Sequence, residues 1–333
     1  MTISKRVRRI AQWFLLSLGL LVLVVAVDAW LYPRLVRPGG RVVNRGQNGI
    51  WLRYTWYFGE HDSRDLGRLV ERLERHGVRD AFFHVRGLSK DGRLRFRYLA
   101  QAKALTDGLH ERDPKIHAIA WIYAGNEKGG GPIDLRSAGV RHTMAAEAAW
   151  LVKDAGFDGV QWDYEICPDD DQDFLKLLLE TRAALPNGAY LGADVPGWYP
   201  PPLSGVGWSE DYYREVASRC DGMAVMAYDS GMPIPRSYVW WVSQQTIRIT
   251  KAAAEGNPMC RVLIGVPTYK NSTLSHIASV ENLRLALIGV RDGLAGGADL
   301  SAWQGVSIFA DYTTDDRDWL TFDELWPKGE RHR

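Results

Sequence analysis

Cysteine is scarce in this chain, with three residues in 333. An odd number excludes a fully paired set of disulfides, and the spacing matches no metal-binding motif, so we expect no metal and no cofactor. An excess of one charge is lacking too, because 41 basic and 40 acidic side chains leave a formal net charge of +1. That balance gives no reason to expect nucleic acid or another polyanion as a partner.

Long hydrophobic runs are also rare, and the one present lies near the N-terminus. Residues 1–9 carry a basic cluster that predicts a cytoplasmic tail, and residues 10–32 are long enough to cross a bilayer, which needs about 20 residues. We therefore expect a membrane anchor. The small residues around Ala29 also fit a cleaved signal peptide, which stays open as the alternative. Both interpretations place the rest of the chain outside the cytoplasm.

Residues 33–48 lack apolar periodicity and predict a linker, and residues 328–333 predict a short tail. Between them, residues 49–327 alternate apolar, strand-like runs with amphipathic stretches. This pattern predicts an α/β fold, a (β/α)8 TIM barrel, with an open doubly wound sheet as the alternative. No G-x-G-x-x-G turn follows the first strand, which disfavours a dinucleotide-binding sheet. The predicted strands are 50–56, 80–85, 116–123, 159–165, 190–195, 222–228, 262–267 and 305–310.

Two of the cysteines, Cys220 and Cys260, stand just before consecutive predicted strands. In a barrel they are therefore expected to be neighbours at the amino ends of those strands. A disulfide between them is allowed in an exported domain, and three free buried thiols are the alternative.

The fourth predicted strand carries the strongest functional signal. Because alternate residues of a strand share a face, Gln161, Asp163 and Glu165 point one way and the bulky residues between them point the other. The bulky set suits the helix layer, so the polar set faces the barrel axis, with Glu165 nearest the rim. Partial burial and like charge both raise a carboxyl pKa, which lets Glu165 act as a general acid near neutral pH.

The segment from Asp158 to Glu165, DGVQWDYE, resembles the signature of glycoside hydrolase family 18, the chitinases and their relatives. That signature reads Asp-Gly-x-Asp-x-Asp-x-Glu at the end of the fourth strand, and three of its four acidic positions match. Three further segments resemble the family's sixth, seventh and last strands in the expected order: 226–229 (MAYD), 263–269 (LIGVPTY) and 305–309 (GVSIF). The resemblance spans about residues 49 to 326 and implies a divergent chitinase-like barrel.

In that family the N-acetyl group of the substrate attacks the anomeric carbon. The resemblance implies a glycan that contains N-acetylglucosamine, with Glu165 protonating the leaving oxygen. Asp163 is then expected to orient the acetamido group, and Tyr228 to hydrogen-bond its oxygen. The residues expected to bind substrate, by resemblance or by position on the rim, are Gln161, Asp158, Asp229, Asp194, Trp56, Trp121, Trp198 and Phe309.

Two positions depart from the family pattern. Gln161 stands where the family usually has Asp, and it cannot share a proton or a negative charge with Asp163. Phe309 stands where a Trp is common, which weakens stacking under the reacting sugar. These departures keep two alternatives to an active enzyme of this kind: a glycan-binding protein on a retired scaffold, and a glycosidase that pairs Glu165 with a second carboxylate such as Asp194.

Overall fold

The computed structural model describes residues 5–199 and 207–332. Eight of the described strands close into a parallel barrel in which successive strands are neighbours: β2, β3, β4, β5, β6, β9, β10 and β11. This confirms the predicted barrel and excludes the open sheet. The described strands are β1 (Arg41–Asn44), β2 (Asn48–Leu52), β3 (Val78–Gly87), β4 (His117–Tyr123), β5 (Gly159–Asp163), β6 (Tyr190–Val195), β7 (Gly197–Trp198), β8 (Gly207–Trp208), β9 (Gly222–Val225), β10 (Arg261–Pro267), β11 (Trp303–Phe309) and β12 (Gly329–His332).

Helices cover the outside of the barrel. Helix α2 begins where Asp62 accepts hydrogen bonds from the backbone amides of Arg64 and Asp65, and it ends at Gly77, whose φ of +65° favours glycine. The described helices are α1 (Lys5–Leu35), α2 (Ser63–His76), α3 (Leu99–Arg112), α4 (Ala138–Lys153), α5 (Gln172–Ala184), α6 (Glu210–Ala217), α7 (Pro235–Gly256), α8 (Leu283–Ala295) and α9 (Asp316–Leu325).

The amphipathic stretches of the sequence predict helices over residues 65–76, 141–155, 171–184, 211–218, 236–255 and 280–294, and so they predict neither α3 nor α9. The buried face of α3 consists of Ala102, Leu105, Thr106 and Leu109. Two of these four side chains are small or polar, so the sequence shows no clear apolar stripe, although the helix packs against the barrel.

The two faces of β5 point as predicted. Trp162 faces outward and donates a hydrogen bond from Nε1 to Oγ1 of Thr181 on α5, at 3.1 Å. Asp163 faces inward and accepts a hydrogen bond from Nε1 of Trp121, at 2.9 Å. The alternation of polar and bulky residues therefore separates the barrel interior from the helix layer.

Several barrel strands end before their predicted carboxyl boundaries, among them β2, β5 and β9. Trp56, Glu165 and Tyr228 consequently lie in the loops that follow these strands. The backbone at Glu165 shows the reason, because its carbonyl accepts a hydrogen bond from the amide of Asn126 in a neighbouring loop at 2.7 Å. The loops, rather than the strands, present these side chains at the carboxyl ends of the barrel.

The segments predicted as linker and tail contain a small sheet. Strand β1 pairs antiparallel with β12 beside the amino end of the barrel. Val42 and Val43 of β1 are buried, and Asn44 donates a hydrogen bond to the carbonyl of Trp326 at 2.6 Å. Two adjacent valines are too short a run to show strand periodicity, so the sequence pattern could not reveal this element.

The three cysteines are free and buried. The Sγ atoms of Cys220 and Cys260 lie 3.9 Å apart at the amino ends of β9 and β10. Their predicted proximity is confirmed, while the two sulfurs carry no bond between them.

Helix α1 is, among the described residues, the one helix long and apolar enough to cross a membrane, over Arg9–Leu35 with a mean hydropathy of 2.5. Its side chains from residue 9 to residue 27 are exposed and touch no other part of the protein closely enough to be covered. A helix of this composition and place serves as a membrane anchor or as a signal sequence.

Candidate functional site

A cavity of about 360 Å³ opens at the carboxyl ends of β5, β6 and β9, which we call the mouth of the barrel. This volume lies within the range of about 300–1,000 Å³ typical of small-ligand sites. Active sites of (β/α)8 barrels occur at this end. The side chains and backbone that line the cavity belong mainly to Tyr164, Glu165, Cys167, Tyr199, Tyr228, Asp229 and Trp241.

Glu165 is half-buried at the wall of the cavity, and its carboxyl group receives no hydrogen bond from the described residues. Burial raises the pKa of Glu165, and the negative charge of Asp229 raises it further. A carboxyl group with a raised pKa keeps its proton closer to neutral pH, and it faces a space that a ligand can enter. These are the two requirements for a general acid.

Asp163 and Asp194 lie side by side beneath Glu165, inside the barrel. Trp162 of β5 pairs with Ala193 of the neighbouring strand β6, and Asp163 and Asp194 are the next residue on each strand. Asp163 accepts its hydrogen bond from Nε1 of Trp121, and the indole of Trp51 lies beside the carboxyl group of Asp194.

Burial raises the pKa of both Asp163 and Asp194 well above the ordinary value for aspartate. The charge of Glu165 raises the pKa of Asp163 further, and the charges of Asp163 and Glu165 do the same for Asp194. Three neighbouring carboxyl groups in one buried place cannot all ionise, so protons are shared among them at neutral pH.

Three of the buried polar atoms that have no hydrogen-bond partner among the described residues belong to inward-facing side chains of β5 and β6. They are Nε2 of Gln161, Oδ1 of Asp163 and Oδ1 of Asp194. Oε1 of Gln161 is satisfied, because it accepts a hydrogen bond from Nε1 of Trp51 at 3.1 Å. A buried polar group without a hydrogen bond lowers the stability of the fold. The presence of three such groups near the mouth indicates that a polar group of a ligand, or a shared proton, completes their hydrogen bonding.

Solved structures show what this barrel is similar to. The spore cortex-lytic enzyme SleL of Bacillus cereus is 12% identical with a TM-score of 0.58, over 85% of this chain and 75% of that one. The C-terminal domain of a putative chitinase from Desulfitobacterium hafniense is 15% identical with a TM-score of 0.58, over 85% and 98%. A class V chitinase of Nicotiana tobaccum, in complex with NAG4, is 12% identical with a TM-score of 0.53, over 84% and 98%.

The fold is chitinase-like. This confirms, at the level of the fold, the resemblance seen in the sequence. No family model matches the sequence, and no curated protein matches it. The likeness is therefore one of fold, and the chemistry of the mouth depends on this chain's own residues.

The loop that presents Tyr228 and Asp229 in this chitinase-like barrel is held by buried polar groups. The hydroxyl of Tyr269 donates a hydrogen bond to Oδ1 of Asp229. Glu281 is fully buried and accepts hydrogen bonds from the amides of Ser230 and Gly231, at 2.9 and 3.0 Å. Asp229 itself has a φ of +56°, a conformation that such fixed contacts stabilise. The loop is therefore positioned before any ligand arrives.

A cluster of aromatic rings packs against Tyr228, which lines the cavity. The rings of Tyr228 and Phe309 are stacked with centroids 4.9 Å apart, and Trp51 meets Phe309 edge-on at 5.6 Å. Burial raises the pKa of Tyr228 well above the usual value, so its hydroxyl remains a hydrogen-bond donor at physiological pH. Trp121 meets Phe309 edge-on at 6.2 Å and stacks on His84 at 4.1 Å. Burial lowers the pKa of His84 to about 4, which keeps the imidazole neutral.

Asp158 belongs to the opposite end of the barrel. It directly precedes β5, and its Oδ2 accepts hydrogen bonds from the amide of Ala118 at 2.7 Å and from Nε2 of His110 at 2.9 Å. Asp158 therefore stabilises the amino end of the barrel. The prediction that it binds substrate is wrong, because the mouth lies at the other end.

The three tryptophans predicted to bind substrate, Trp56, Trp121 and Trp198, do not line the cavity, and neither does Phe309. Trp56 lies in the turn after β2, stacks on His61 with centroids 3.8 Å apart and borders a groove between α2 and α3. Trp198 is buried, and the guanidinium of Arg248 covers its ring at 4.1 Å. Sequence position at a strand end could not reveal which way these rings turn once the strand has ended.

Three residues of the site were not predicted from the sequence: Trp51, Tyr269 and Glu281. Trp51 points into the barrel from β2, where alternation from Gly49 would have indicated an inward position in a strand. Tyr269 ends a segment already compared with the seventh strand of the family. Glu281 carries no comparable signal, because it reaches the site from a long loop that only the tertiary structure brings close.

Proposed function

We propose that this chain is a glycoside hydrolase that cleaves glycans containing N-acetylglucosamine, with Glu165 as the general acid. One observation carries the proposal: the carboxyl group of Glu165 faces a sugar-sized cavity directly above the buried Asp163 and beside Tyr228. The names of the similar structures support the substrate class, since most are chitinases and one holds NAG4.

In the proposed reaction, the protonated Glu165 donates its proton to the glycosidic oxygen as the bond to the anomeric carbon breaks. Asp163 accepts a hydrogen bond from the acetamido N–H through its unpartnered Oδ1, which directs the acetamido oxygen toward the anomeric carbon. The hydroxyl of Tyr228 donates to that oxygen. Once Glu165 has lost its proton, it can accept one from an incoming water molecule, which restores the starting state.

We further propose that Asp194 supplies the carboxyl group that Gln161 lacks. Asp194 lies beside Asp163 on the adjacent strand, and both carboxyl groups have raised pKa values that favour a shared proton. The role of Asp194 is therefore to position and charge Asp163.

A pair of substitutions tests this role. Asp194→Asn should lower kcat roughly tenfold. Without the shared proton, the pKa of Asp163 should shift by about one unit, which corresponds to about 1.4 kcal/mol. Adding Gln161→Asp to that variant should restore most of the loss, since a carboxyl group again neighbours Asp163. A double variant no better than Asp194→Asn alone would refute the compensation.

The experiment for the main proposal measures turnover of N-acetylated chromogenic oligosaccharides. Glu165→Gln should lower kcat by about 10²–10⁴-fold, the usual contribution of a general acid. Glu127→Gln is the matched control, because Glu127 is an exposed glutamate on a neighbouring loop of the mouth. Equal rates for wild type and Glu165→Gln would reject the proposal, and hydrolysis of non-acetylated sugars would favour a different class of glycosidase.

A glycan-binding protein without turnover is the second candidate function. The absence of a carboxylate at Gln161 and the smaller ring at Phe309 favour it. Calorimetric binding of N-acetylglucosamine oligomers by both wild type and Glu165→Gln, with no hydrolysis by either, would select this candidate.

We also propose that α1 remains attached as a membrane anchor. Cleavage near Ala29 would remove Asp28, whose carboxylate forms a two-point ion pair with Arg236 of the barrel at 2.7 and 3.2 Å. The bare apolar surface of residues 9–27 requires a nonpolar environment, which a bilayer provides. Membrane fractionation followed by mass determination of the mature chain tests this proposal, and a soluble product lacking residues 1–29 would overturn it.

A further inference from the structure

Helix α1 is attached to the barrel at one defined place. Arg236 is the second residue of α7; it pairs with Asp28, and its guanidinium lies 4.3 Å from the centre of the Tyr32 ring. Arg284 is the second residue of α8, and it donates hydrogen bonds to the carbonyls of Pro33 at 3.0 Å and Val36 at 2.7 Å. The end of α1 is thus held by two neighbouring helices.

Both contacts lie at the mouth end of the barrel. In a (β/α)8 barrel each helix begins near the carboxyl end of the strand that precedes it, so the first turns of α7 and α8 surround the mouth. The chain then descends along α8, where Arg291 donates a hydrogen bond to the carbonyl of Pro38, and reaches β1 beside the amino end of the barrel. The connection between α1 and the barrel therefore runs from the mouth downward.

The bare part of α1 fixes where the membrane surface lies. Residues 9–27 are exposed, and at about 1.5 Å per residue they extend roughly 28 Å, close to the hydrocarbon thickness of about 30 Å. The bilayer must therefore end near Asp28, which is in contact with the rim of the mouth. Leu274 lies on the loop after β10 at the same rim, is fully exposed, and is a suitable contact for a lipid surface.

From this arrangement we infer that the mouth of the barrel is held at the membrane surface, and that the substrate is a glycan carried by a lipid of the same membrane. The inference about the substrate rests on the proposed glycosidase function; the inference about the mouth does not. A glycan on a lipid in the same bilayer has a high effective concentration at a mouth tethered there, whereas a soluble polymer has to diffuse into the space between rim and bilayer.

The position of the mouth can be measured without any activity. Leu274→Cys and Met259→Cys place a thiol on exposed loops at opposite ends of β10, and the three native cysteines are buried. Each variant of the full chain, labelled with a fluorophore and reconstituted in phosphatidylcholine vesicles, is compared with and without headgroup nitroxide lipids. We expect strong quenching at position 274 and little at position 259. Equal quenching, or stronger quenching at 259, would overturn the placement.

The substrate is tested in the same vesicles. A chitooligosaccharide on a lipid in the vesicle should be cleaved at least about tenfold faster than the same oligosaccharide in solution at equal total concentration. Arg236→Ala with Arg284→Ala should abolish this preference and leave the rate on the soluble substrate unchanged. The control, Arg64→Ala with Arg317→Ala, changes exposed second residues of α2 and α9 away from α1 and should keep it.

The two measurements separate the possible failures. If the wild type cleaves both substrates equally, the lipid-carried substrate is refuted although the enzyme is active. If it cleaves neither, the proposed function fails, while the quenching result alone decides whether the mouth lies at the membrane.

Discussion

Both ends of the barrel bury carboxyl groups, but the hydrogen bonding of these groups is complete at one end and incomplete at the other. At the amino end, Asp80 accepts hydrogen bonds from Nδ1 of His117 at 2.9 Å and from the amide of Gln304, so both of its oxygens are satisfied. At the mouth, Asp163 and Asp194 each keep one buried oxygen without a partner among the described residues. Complete bonding at one end stabilises the fold, and incomplete bonding at the other leaves capacity for a ligand.

The two ends also differ in the protonation of their titratable groups. The hydrogen bond to Asp80 raises the pKa of His117, which favours an ion pair at the amino end. At the mouth, burial raises the pKa of the carboxyl groups and favours their neutral, protonated forms. One end therefore gains stability from its charges, whereas the other gives up stability to hold protons that a reaction can use.

The largest expected effect comes from making the same substitution, Asp to Asn, at each end of the barrel and comparing the two variants. Asp163→Asn should lower kcat on the order of 10²-fold, or about 2.7 kcal/mol of transition-state stabilisation, because the carboxylate faces the positive charge that develops on the acetamido ring. Asp80→Asn should leave kcat per folded molecule unchanged. Steady-state kinetics on N-acetylated oligosaccharides decide this, and similar losses in both variants would remove the functional distinction between the ends.

A smaller effect is expected on stability. Asp80→Ala should lower the free energy of unfolding by about 2 kcal/mol, since it leaves His117 without its buried partner. A raised histidine pKa adds stability below its unfolded value of about 6.5, and this stability is lost as pH rises through the folded value. The loss should therefore be larger at pH 5.5 than at pH 8.5 in urea unfolding. The exposed Asp107→Ala serves as a control, and an equal loss there would contradict the prediction.

The last effect concerns the pH dependence of stability at the mouth. Because the pKa of Asp194 is raised in the folded state, the native protein binds a proton more tightly than the unfolded chain, and stability falls as pH rises above about 3.8. Asp194→Asn should remove a slope of up to about 1.4 kcal/mol per pH unit between that value and the folded pKa. Unfolding curves recorded from pH 4 to pH 8 measure it. An unchanged slope would show that Asp194 is not protonated in this range.

The barrel and the core of its site are predictable from sequence because they depend on local periodicity. Eight apolar runs separated by helical stretches specify strands covered on both faces, and the alternation around Trp162 specifies which side chains face the axis. Gln161 and Asp163 were thereby placed correctly inside the barrel. Asp158 and Trp198 were not placed correctly, because a motif or a strand end does not show where the chain turns next.

The sequence by itself determined the fold class, the inward polar set of the fourth barrel strand and the apolar N-terminal helix, since each depends on residue spacing along a single element. Only the tertiary structure decided that Asp194 adjoins Asp163, that Glu281 holds the loop of Asp229, and that Arg236 joins the helix to the mouth. These are contacts between residues far apart in the chain. They arise from strand register and loop closure, for which a single sequence carries no periodic signal.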